Sequence, residues 1–214
     1  MQKIMFNDKS LLTKAVLEGR KTQTRRIIKS SDAFERVNTD FDWDKEDITN
    51  WNNSFTQTFQ NMSKDEQGKC LEYLLSYSKY KIGETVAIAQ RYEDVWIENA
   101  SAYHNPYFRS GLPGWKNKMF VKASDMPHQI KITNVWIERL QDISDENCLK
   151  EGVIEVRSKD DTYSQYYVSA KGMKLGACFE NPKDAFAYLI NDVSRKDVWN
   201  ENPYVFVYEF ELVK

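Results

Sequence analysis

The sequence predicts an α+β protein built on a small mixed sheet or barrel with helices around it. Three observations support this: short β-rich segments are spread over the whole chain, segments with helical periodicity lie between some of them, and the last segment alternates apolar and polar residues. At 214 residues the chain is long enough to bury a real core. We predict one domain over 1–214, with an insertion at about 30–79.

Helical spacing of apolar residues predicts helices in four segments. The first has Asn7 or Asp8 as a capping residue and Gly19 at its end, where a left-handed conformation stops a helix. The third begins with Ser144 as its cap and ends at Gly152. The predicted helices are 9–18, 64–80, 144–151 and 182–190.

Extended segments are predicted where β-branched residues or strict alternation occur. The C-terminal segment places Phe206, Tyr208 and Phe210 on one face and Glu209 and Glu211 on the other. It is therefore predicted to be a strand with one face in water. The predicted strands are 22–28, 83–90, 129–138 and 206–212.

The composition is that of a soluble globular protein, with 41% hydrophobic and 29% charged residues and a formal net charge of -2. There is no apolar run near 18 residues, and the first residues lack the apolar core and cleavage site of a signal peptide. The sequence thus predicts a cytoplasmic protein with no membrane partner.

Metal and cofactor sites are not indicated. Cys70, Cys148 and Cys178 are far apart and odd in number, which favours free thiols in a reducing compartment. His104 and His128 lie at no metal-ligand spacing, so no metal is predicted. A Gly-rich phosphate loop and a Gly-x-Ser-x-Gly elbow are both missing, which removes most nucleotide-binding and esterase functions. No cofactor is predicted.

The most informative stretch is 19–29, Gly-Arg-Lys-Thr-Gln-Thr-Arg-Arg-Ile-Ile-Lys, hereafter the basic segment. It has five cations, two hydroxyls and no acidic residue, at the junction of a predicted helix and a predicted strand. Such a segment predicts a site for an anionic or amide-bearing ligand, and its cations could neutralise phosphates of a nucleic acid. The cations are Arg20, Lys21, Arg25, Arg26 and Lys29.

Two further features leave alternatives open. The first part of the insertion is acidic, and it is either a solvated loop or a segment that folds over the basic segment. Several aromatic residues are either stacking platforms for bases or packing residues. These aromatics are Tyr92, Trp96, Tyr103, Tyr107 and Trp115.

Four blocks of the chain form a pattern through their order and number. They are Gly19-Arg-Lys-Thr-Gln-Thr-Arg-Arg, Tyr80-Lys-Ile-Gly-Glu, Met126-Pro through Glu151-Gly, and Trp199 through Asn202-Pro-Tyr-Val-Phe-Val-Tyr-Glu-Phe. This pattern resembles the ASCH domain family of the PUA-like superfamily, and in particular its longer members, which are common in phages and prophages. The resemblance implies a PUA-like mixed β-barrel with flanking helices and inserted segments, and a cleft for RNA or modified nucleosides.

Short bacterial members of this family are N4-acetylcytidine amidohydrolases, whose active site has a lysine, a threonine three residues later and a glutamate from a later helix. Lys21, Thr24 and Glu151 match these positions, and Arg26 falls on an arginine two residues after the threonine. The resemblance thus implies that these three residues are catalytic. The cations implied to bind substrate or nucleic acid are Arg20, Arg25, Arg26 and Lys29.

In that chemistry Thr24 attacks the amide carbonyl and a neutral Lys21 takes its proton. Neighbouring arginines disfavour a charged Lys21 and a close Glu151 favours it, so the sequence leaves its protonation open. Glu151 is either solvated at a helix end or part of a site. Residues three apart in a strand point to opposite faces, so Lys21 and Thr24 converge only if the junction is a turn.

One departure weakens the enzymatic interpretation. The longer family members carry an Arg-Glu pair after the Gly-Glu strand entrance, whereas this chain has Ala89 and Gln90, and an amide cannot act as a carboxylate base. Three functions remain: an amidohydrolase acting on an acylated nucleoside, a non-catalytic nucleic-acid-binding module of phage origin, and a protein-interaction scaffold that uses the acidic insertion.

Overall fold

A computed structural model describes residues 1–28, 63–98, 111, 113–160, 162–173 and 175–213. Within these ranges helices and strands are interspersed along the chain, which confirms the α+β class. The helices are α1 Leu12–Leu17, α2 Lys64–Ser76, α3 Tyr92–Glu98, α4 Asp145–Lys150, α5 Pro182–Ser194 and α6 Val198–Glu201. The strands are β1 Lys3–Ile4, β2 Gln23–Ile27, β3 Thr85–Ile88, β4 Gln129–Arg139, β5 Ile154–Arg157, β6 Ser164–Tyr167, β7 Cys178–Phe179 and β8 Tyr204–Leu212.

The larger sheet has five strands in the order β1-β3-β4-β8-β2. β1 runs parallel to β3, and the other neighbours are antiparallel. β8 pairs with β4 on one side and with β2 on the other, so the last strand of the chain lies between two earlier ones. A separate three-stranded antiparallel sheet has the order β5-β6-β7. β2, which carries much of the basic segment, is an edge strand.

The described strands leave both sheets open, and they do not form the closed barrel that the resemblance implied. β1 and β2 are the two edges of the larger sheet, and β1 has two residues and therefore few backbone groups for a ladder. A side chain links these edge regions instead: Arg26 Nη2 donates to the carbonyl oxygen of Met5 at 2.6 Å. The sheet thus curves enough for its edges to meet without a backbone ladder between β1 and β2.

The prediction that β8 has one wet face is wrong for its middle. The consecutive residues Val207 and Tyr208 are 0% and 1% exposed, although they project to opposite faces. Both faces of β8 are therefore covered at this point. On the polar face Glu209 is half-buried and Glu211 is exposed.

α1 begins three residues later than predicted. Asn7 Oδ1 accepts from the backbone N–H groups of Lys9 and Ser10 at 2.8 and 3.2 Å, which stabilises a turn rather than a first helical turn. Leu11 then takes a left-handed conformation, with φ of 52°, directly before the helix. The other end agrees with the prediction, since Gly19 is left-handed with φ of 71°.

The remaining predicted helices and strands are present with shifted ends. Ser144 Oγ accepts from the N–H of Asn147, which is the predicted cap of α4. α2 ends at Ser76, and α5 continues to Ser194, one turn beyond the prediction. The main core cluster contains residues from Ile4 to Phe210, so it joins the first strand to the last. The acidic part of the insertion lies outside the described residues, and the single domain stays a prediction.

None of the helices in the described ranges has both the length and the apolar composition needed to span a membrane.

Candidate functional site

The basic segment begins with a tight turn between α1 and β2. The carbonyl oxygen of Ala15 accepts from the backbone N–H groups of both Arg20 and Lys21, at 2.9 and 3.0 Å. The N–H of Thr22 then donates to the carbonyl of Lys150 at 2.9 Å. The turn therefore attaches the start of β2 to the C-terminal end of α4, and it directs Lys21 towards that end.

A glycine makes this close approach feasible. Gly152 follows α4 with φ of 107°, a conformation that strains any other residue. A β-carbon at this position would lie 3.1 Å from Leu12 Cδ2 and 3.8 Å from Lys21 Cδ. Both the backbone conformation and the contact with α1 thus favour glycine.

Lys21 and Glu151 form a buried ion pair. Lys21 Nζ donates to Glu151 Oε2 at 2.5 Å and to the backbone carbonyl of Glu151 at 2.8 Å. Their side chains are 1% and 6% exposed. Because the C-terminal end of a helix carries partial negative charge, an ammonium group there offsets both the helix end and the carboxylate. The alternative in which Glu151 is solvated is therefore wrong.

The surroundings of Lys21 lower its pKa. Burial lowers the pKa of Lys21, and the attraction and hydrogen bond of Glu151 oppose this effect without cancelling it. The charges of Arg26 and Arg25 lower the pKa further. Lys21 thus releases its proton more easily than a solvated lysine does.

Arg25 extends the pair into a cluster of four charges. Its side chain is 0% exposed, and Nη1 donates to Glu151 Oε1 at 2.9 Å. On the other side, its Nε and Nη2 donate to Glu138 Oε1 at 2.9 and 2.6 Å. The other oxygen of Glu138 accepts from Trp136 Nε1 at 2.7 Å. We call Lys21, Arg25, Glu138 and Glu151 the buried charge cluster, in which Glu138 is half-buried with its side chain 17% exposed. Formally the cluster is neutral.

Sequence reasoning missed Glu138. This residue lies on β4, and Arg25 lies on β2 with β8 between them, so the long arginine side chain crosses a whole strand. The contact depends on the register of three strands that are distant in sequence. No local spacing signals it.

Thr24 is placed apart from the other two predicted catalytic residues. Consecutive residues of a strand project to opposite faces, so Thr24 lies on the face of β2 opposite to Arg25. Its side chain is buried, with the residue 5% exposed, and in the described part of the chain its hydroxyl has no hydrogen-bond partner. Among the residues described, the structure thus joins Lys21 to Glu151 and joins Thr24 to neither.

The remaining cations of the basic segment divide into surface groups and one undescribed residue. Arg20 is exposed and donates to Glu18 Oε2 through Nε and Nη2 at 2.9 and 2.6 Å. Arg26 is also exposed at its position on β2. Lys29 lies outside the described residues. The basic segment is therefore not one exposed positive surface, because acids from other elements neutralise its two buried members.

The structure shows the contacts of two other residues singled out in the sequence, Tyr92 and Gln90. Tyr92 is 6% exposed and donates to Asp125 Oδ2 at 2.7 Å, so it is a packing residue. Gln90, which occupies the position of the expected carboxylate, is 8% exposed, and its Oε1 lies 2.7 Å from His128 Nδ1. Tyr103 and Tyr107 lie outside the described residues.

The described residues of this site include neither a thiol with a lowered pKa nor a group of metal-binding side chains. Burial raises the pKa of Cys148, a residue of α4, to about 12, so its thiol stays protonated. In the ranges that the structure describes, no three His, Cys, Asp or Glu side chains are grouped so as to hold a metal ion.

The fold and the site together define an α+β protein whose edge strand carries a buried, neutralised charge cluster on one face and a buried threonine on the other. Comparison of the chain with protein-family models, with curated proteins and with solved structures finds no match.

Proposed function

We propose that this protein recognises RNA or a modified nucleoside beside β2, and that it hydrolyses the acetyl amide of N4-acetylcytidine or of a related acylated nucleoside. The observation that carries the proposal is the Lys21–Glu151 pair, because burial lowers the pKa of a lysine that lies in the segment resembling the amidohydrolases. A PUA-like fold belongs to the same proposal. The curved five-stranded sheet, whose edges meet through Arg26, is consistent with it.

The proposed reaction is an acyl transfer to Thr24 followed by hydrolysis. Thr24 Oγ1 forms a bond to the amide carbonyl carbon while Lys21 Nζ, in its neutral form, takes the hydroxyl proton. The carbon–nitrogen bond then breaks, and the cytosine amino group receives that proton from Lys21. Water attacks the resulting ester and releases acetate and the free threonine. Glu151 orients Lys21 throughout, and Arg26 is the donor assigned to the developing oxyanion.

The proposal includes a local movement. Thr24 and Arg25 project to opposite faces of β2, and Lys21 shares its carboxylate partner with Arg25. Substrate binding must therefore bring Thr24 Oγ1 and Lys21 Nζ within hydrogen-bond distance, about 2.6 to 3.2 Å, which catalytic pairs often reach only in the complex. The buried hydroxyl of Thr24 has no described partner that it would need to leave.

The test is incubation of the full chain with N4-acetylcytidine and chromatographic measurement of cytidine and acetate. We expect turnover by the wild type and a loss of at least about a hundredfold in Thr24→Ala and Lys21→Met, because nucleophile and base each contribute on this scale. Thr24→Ser is the matched control and should retain turnover. Absence of cytidine with the wild type, or equal rates in all variants, would contradict the proposal.

The second candidate is a non-catalytic nucleic-acid-binding module. This candidate is favoured because Glu151 already forms ion pairs with both Lys21 and Arg25. Charges satisfied in this way stabilise the fold without needing a substrate. In this case the exposed Arg20 and Arg26 would contact phosphates.

RNA binding measured by fluorescence anisotropy at several salt concentrations tests this candidate. The double variant Arg20→Ala with Arg26→Ala should bind more weakly, and the slope of log K against log salt should become shallower by about 0.7 for each lost contact with single-stranded RNA. Lys159→Ala, which removes an exposed cation outside the basic segment, is the control. Equal affinity of the double variant and the control would exclude phosphate contacts by these two arginines.

A further inference from the structure

A cavity lies between α1 and the segment that follows β3. Its volume is about 280 Å³, and its wall includes Leu11, Lys14, Gln90 and Lys171. No member of the buried charge cluster lines it. The volume is just below the 300 to 1,000 Å³ typical of pockets for drug-sized ligands, so the cavity suits a small molecule.

Gln90 lines this cavity and has a side-chain donor without a partner among the described residues. The residue is 8% exposed, and its Oε1 is held by His128 Nδ1 at 2.7 Å. Its backbone N–H contacts the sulfur of Met126 at 3.3 Å. The remaining polar atom of its side chain, Nε2, has no partner among the described residues. A buried amide nitrogen normally has a hydrogen-bond acceptor. Since none of the described residues supplies one, Nε2 is available to a ligand in the cavity.

The charges of the cavity wall indicate the sign of that ligand. The wall carboxylate of Asp8 already accepts from Thr13 Oγ1 at 2.6 Å and from Lys118 Nζ at 2.7 Å. In the same wall, Asp94 accepts twice from Arg91, at 2.7 and 2.8 Å. Both carboxylates are thus occupied by cations of the protein.

Two lysines of the wall are less engaged. Lys171 forms no ion pair with any residue in the described ranges. Lys14 reaches Glu18 only at 3.6 Å, and its side chain is 64% exposed. The free charge around the Gln90 donor is therefore positive, which favours a negatively charged oxygen ligand.

The backbone at the cavity is also unusual. Leu11 lines the cavity and has a backbone φ of 52°, a left-handed conformation that residues with a β-carbon rarely adopt. Such conformations persist where the surrounding structure holds them, and they are concentrated at ligand sites. Together with Leu17, Leu11 provides an apolar wall beside the polar groups.

We propose that this cavity binds a small organic oxyanion, a carboxylate or a phosphate ester, whose oxygen accepts from Gln90 Nε2 and whose charge faces Lys14 and Lys171. The proposal goes beyond the amidohydrolase function for two reasons. N4-acetylcytidine is uncharged, and none of the residues proposed to hydrolyse it lines this cavity. Carboxylate and phosphate share this recognition chemistry, and the experiment distinguishes them.

The experiment is calorimetric titration of the full chain with glycerate, inorganic phosphate and glycerol 3-phosphate, with glycerol as the uncharged control. We expect at least one oxyanion to bind and glycerol not to bind. Gln90→Glu should weaken that binding at least about tenfold, since it keeps an oxygen for His128 but replaces the donor with a negative oxygen. Lys171→Ala should weaken it about threefold, and Lys159→Ala should leave it unchanged.

Two further variants keep the result interpretable. Gln90→Leu removes the amide without adding charge and should also weaken binding, so agreement with Gln90→Glu excludes simple repulsion. Thr24→Ala should bind the oxyanion as the wild type does, which separates this site from the proposed amidohydrolase. No binding of any of the three oxyanions, or equal binding by the wild type and both Gln90 variants when circular dichroism shows them folded, would overturn the proposal.

Discussion

Each end of α1 lies near a lysine in the same chemical arrangement, but Lys21 is buried whereas Lys118 is half-buried, and their partners differ in access to water. Beyond the C-terminal end, Lys21 donates to a backbone carbonyl and a carboxylate of Glu151. Beside the N-terminal end, Lys118 donates to the carbonyl of Phe6 and to Asp8 Oδ1. Burial lowers the pKa of both lysines, and the carboxylate opposes the effect in both cases.

The difference lies in the carboxylates. The side chain of Glu151 is 6% exposed, whereas that of Asp8 is 42% exposed and borders the cavity that Gln90 lines. Water can solvate Asp8 when its partner is removed, but it cannot reach Glu151 without opening the fold. The Lys21–Glu151 pair is therefore needed to keep its charges compensated inside the fold, whereas the Lys118–Asp8 pair can be broken with Asp8 still in contact with water. Four measurements test this contrast.

The largest effect is expected from loss of the Glu151 carboxylate. Glu151→Ala leaves Lys21 and Arg25 buried near each other without their shared partner, and we expect the free energy of unfolding to fall by about 3 to 5 kcal/mol. Asp8→Ala, the counterpart at the other end, should lower it by about 1 kcal/mol. Urea denaturation measures both. Equal losses would show that the two ends do not differ in solvent access.

The second test uses cysteines as reporters of opening. Cys148 is 0% exposed in α4 next to Glu151, and burial raises the pKa of its thiol to about 12, whereas Cys178 is exposed on β7. We expect alkylation of Cys148 to be at least about a hundredfold slower than that of Cys178, because each 1.4 kcal/mol of opening free energy slows it tenfold. Peptide mass spectrometry follows both rates. Comparable rates would mean that the fold around Cys148 and Glu151 opens readily.

The third test is the pH dependence of stability. The pKa of Lys21 is lower in the folded protein than its ordinary value of 10.5, so the unfolded chain binds the proton more tightly. The contribution of Lys21 to the free energy of unfolding is therefore smallest below the folded pKa and rises with pH until about 10.5. The rise is at most about 1.4 kcal/mol per pH unit.

The measurement is the difference in unfolding free energy between the wild type and Lys21→Met across this pH range, because the subtraction removes the other titrating groups. If the unfolding free energy of the wild type minus that of Lys21→Met decreases with increasing pH, the attraction of Glu151 outweighs burial in setting the pKa of Lys21.

The smallest effect is expected for the Lys118–Asp8 pair, whose carboxylate is solvent-accessible. A double-mutant cycle with Asp8→Asn and Lys118→Met should give a coupling energy of about 0.2 to 1 kcal/mol, and the coupling should decrease with salt because Asp8 is solvent-accessible. Urea denaturation at low and high salt measures it. A coupling that is large and independent of salt would place this pair in the same closed environment as Lys21.

Local sequence patterns predicted most of the longer elements but not the shortest ones. α4 and its Ser144 cap, β2, β4 and the helix stop at Gly19 all follow from signals within one or two turns of chain. β1 and β7 have two residues each, too few for any periodic signal, and their pairing depends on distant strands. The wet face of β8 was predicted wrongly because alternation does not reveal what packs on the polar side.

The candidate site shows the same division. The sequence by itself determined that cations and hydroxyls are concentrated between α1 and β2, because composition and turn signals are local properties. Only the tertiary structure decided that Lys21 and Arg25 turn inward, that Glu138 and Glu151 neutralise them, and that Thr24 faces the other way. The physical reason is that strand register and the docking of α4 set which charges meet, and burial then sets the strength of those contacts and the direction of the pKa shift of Lys21.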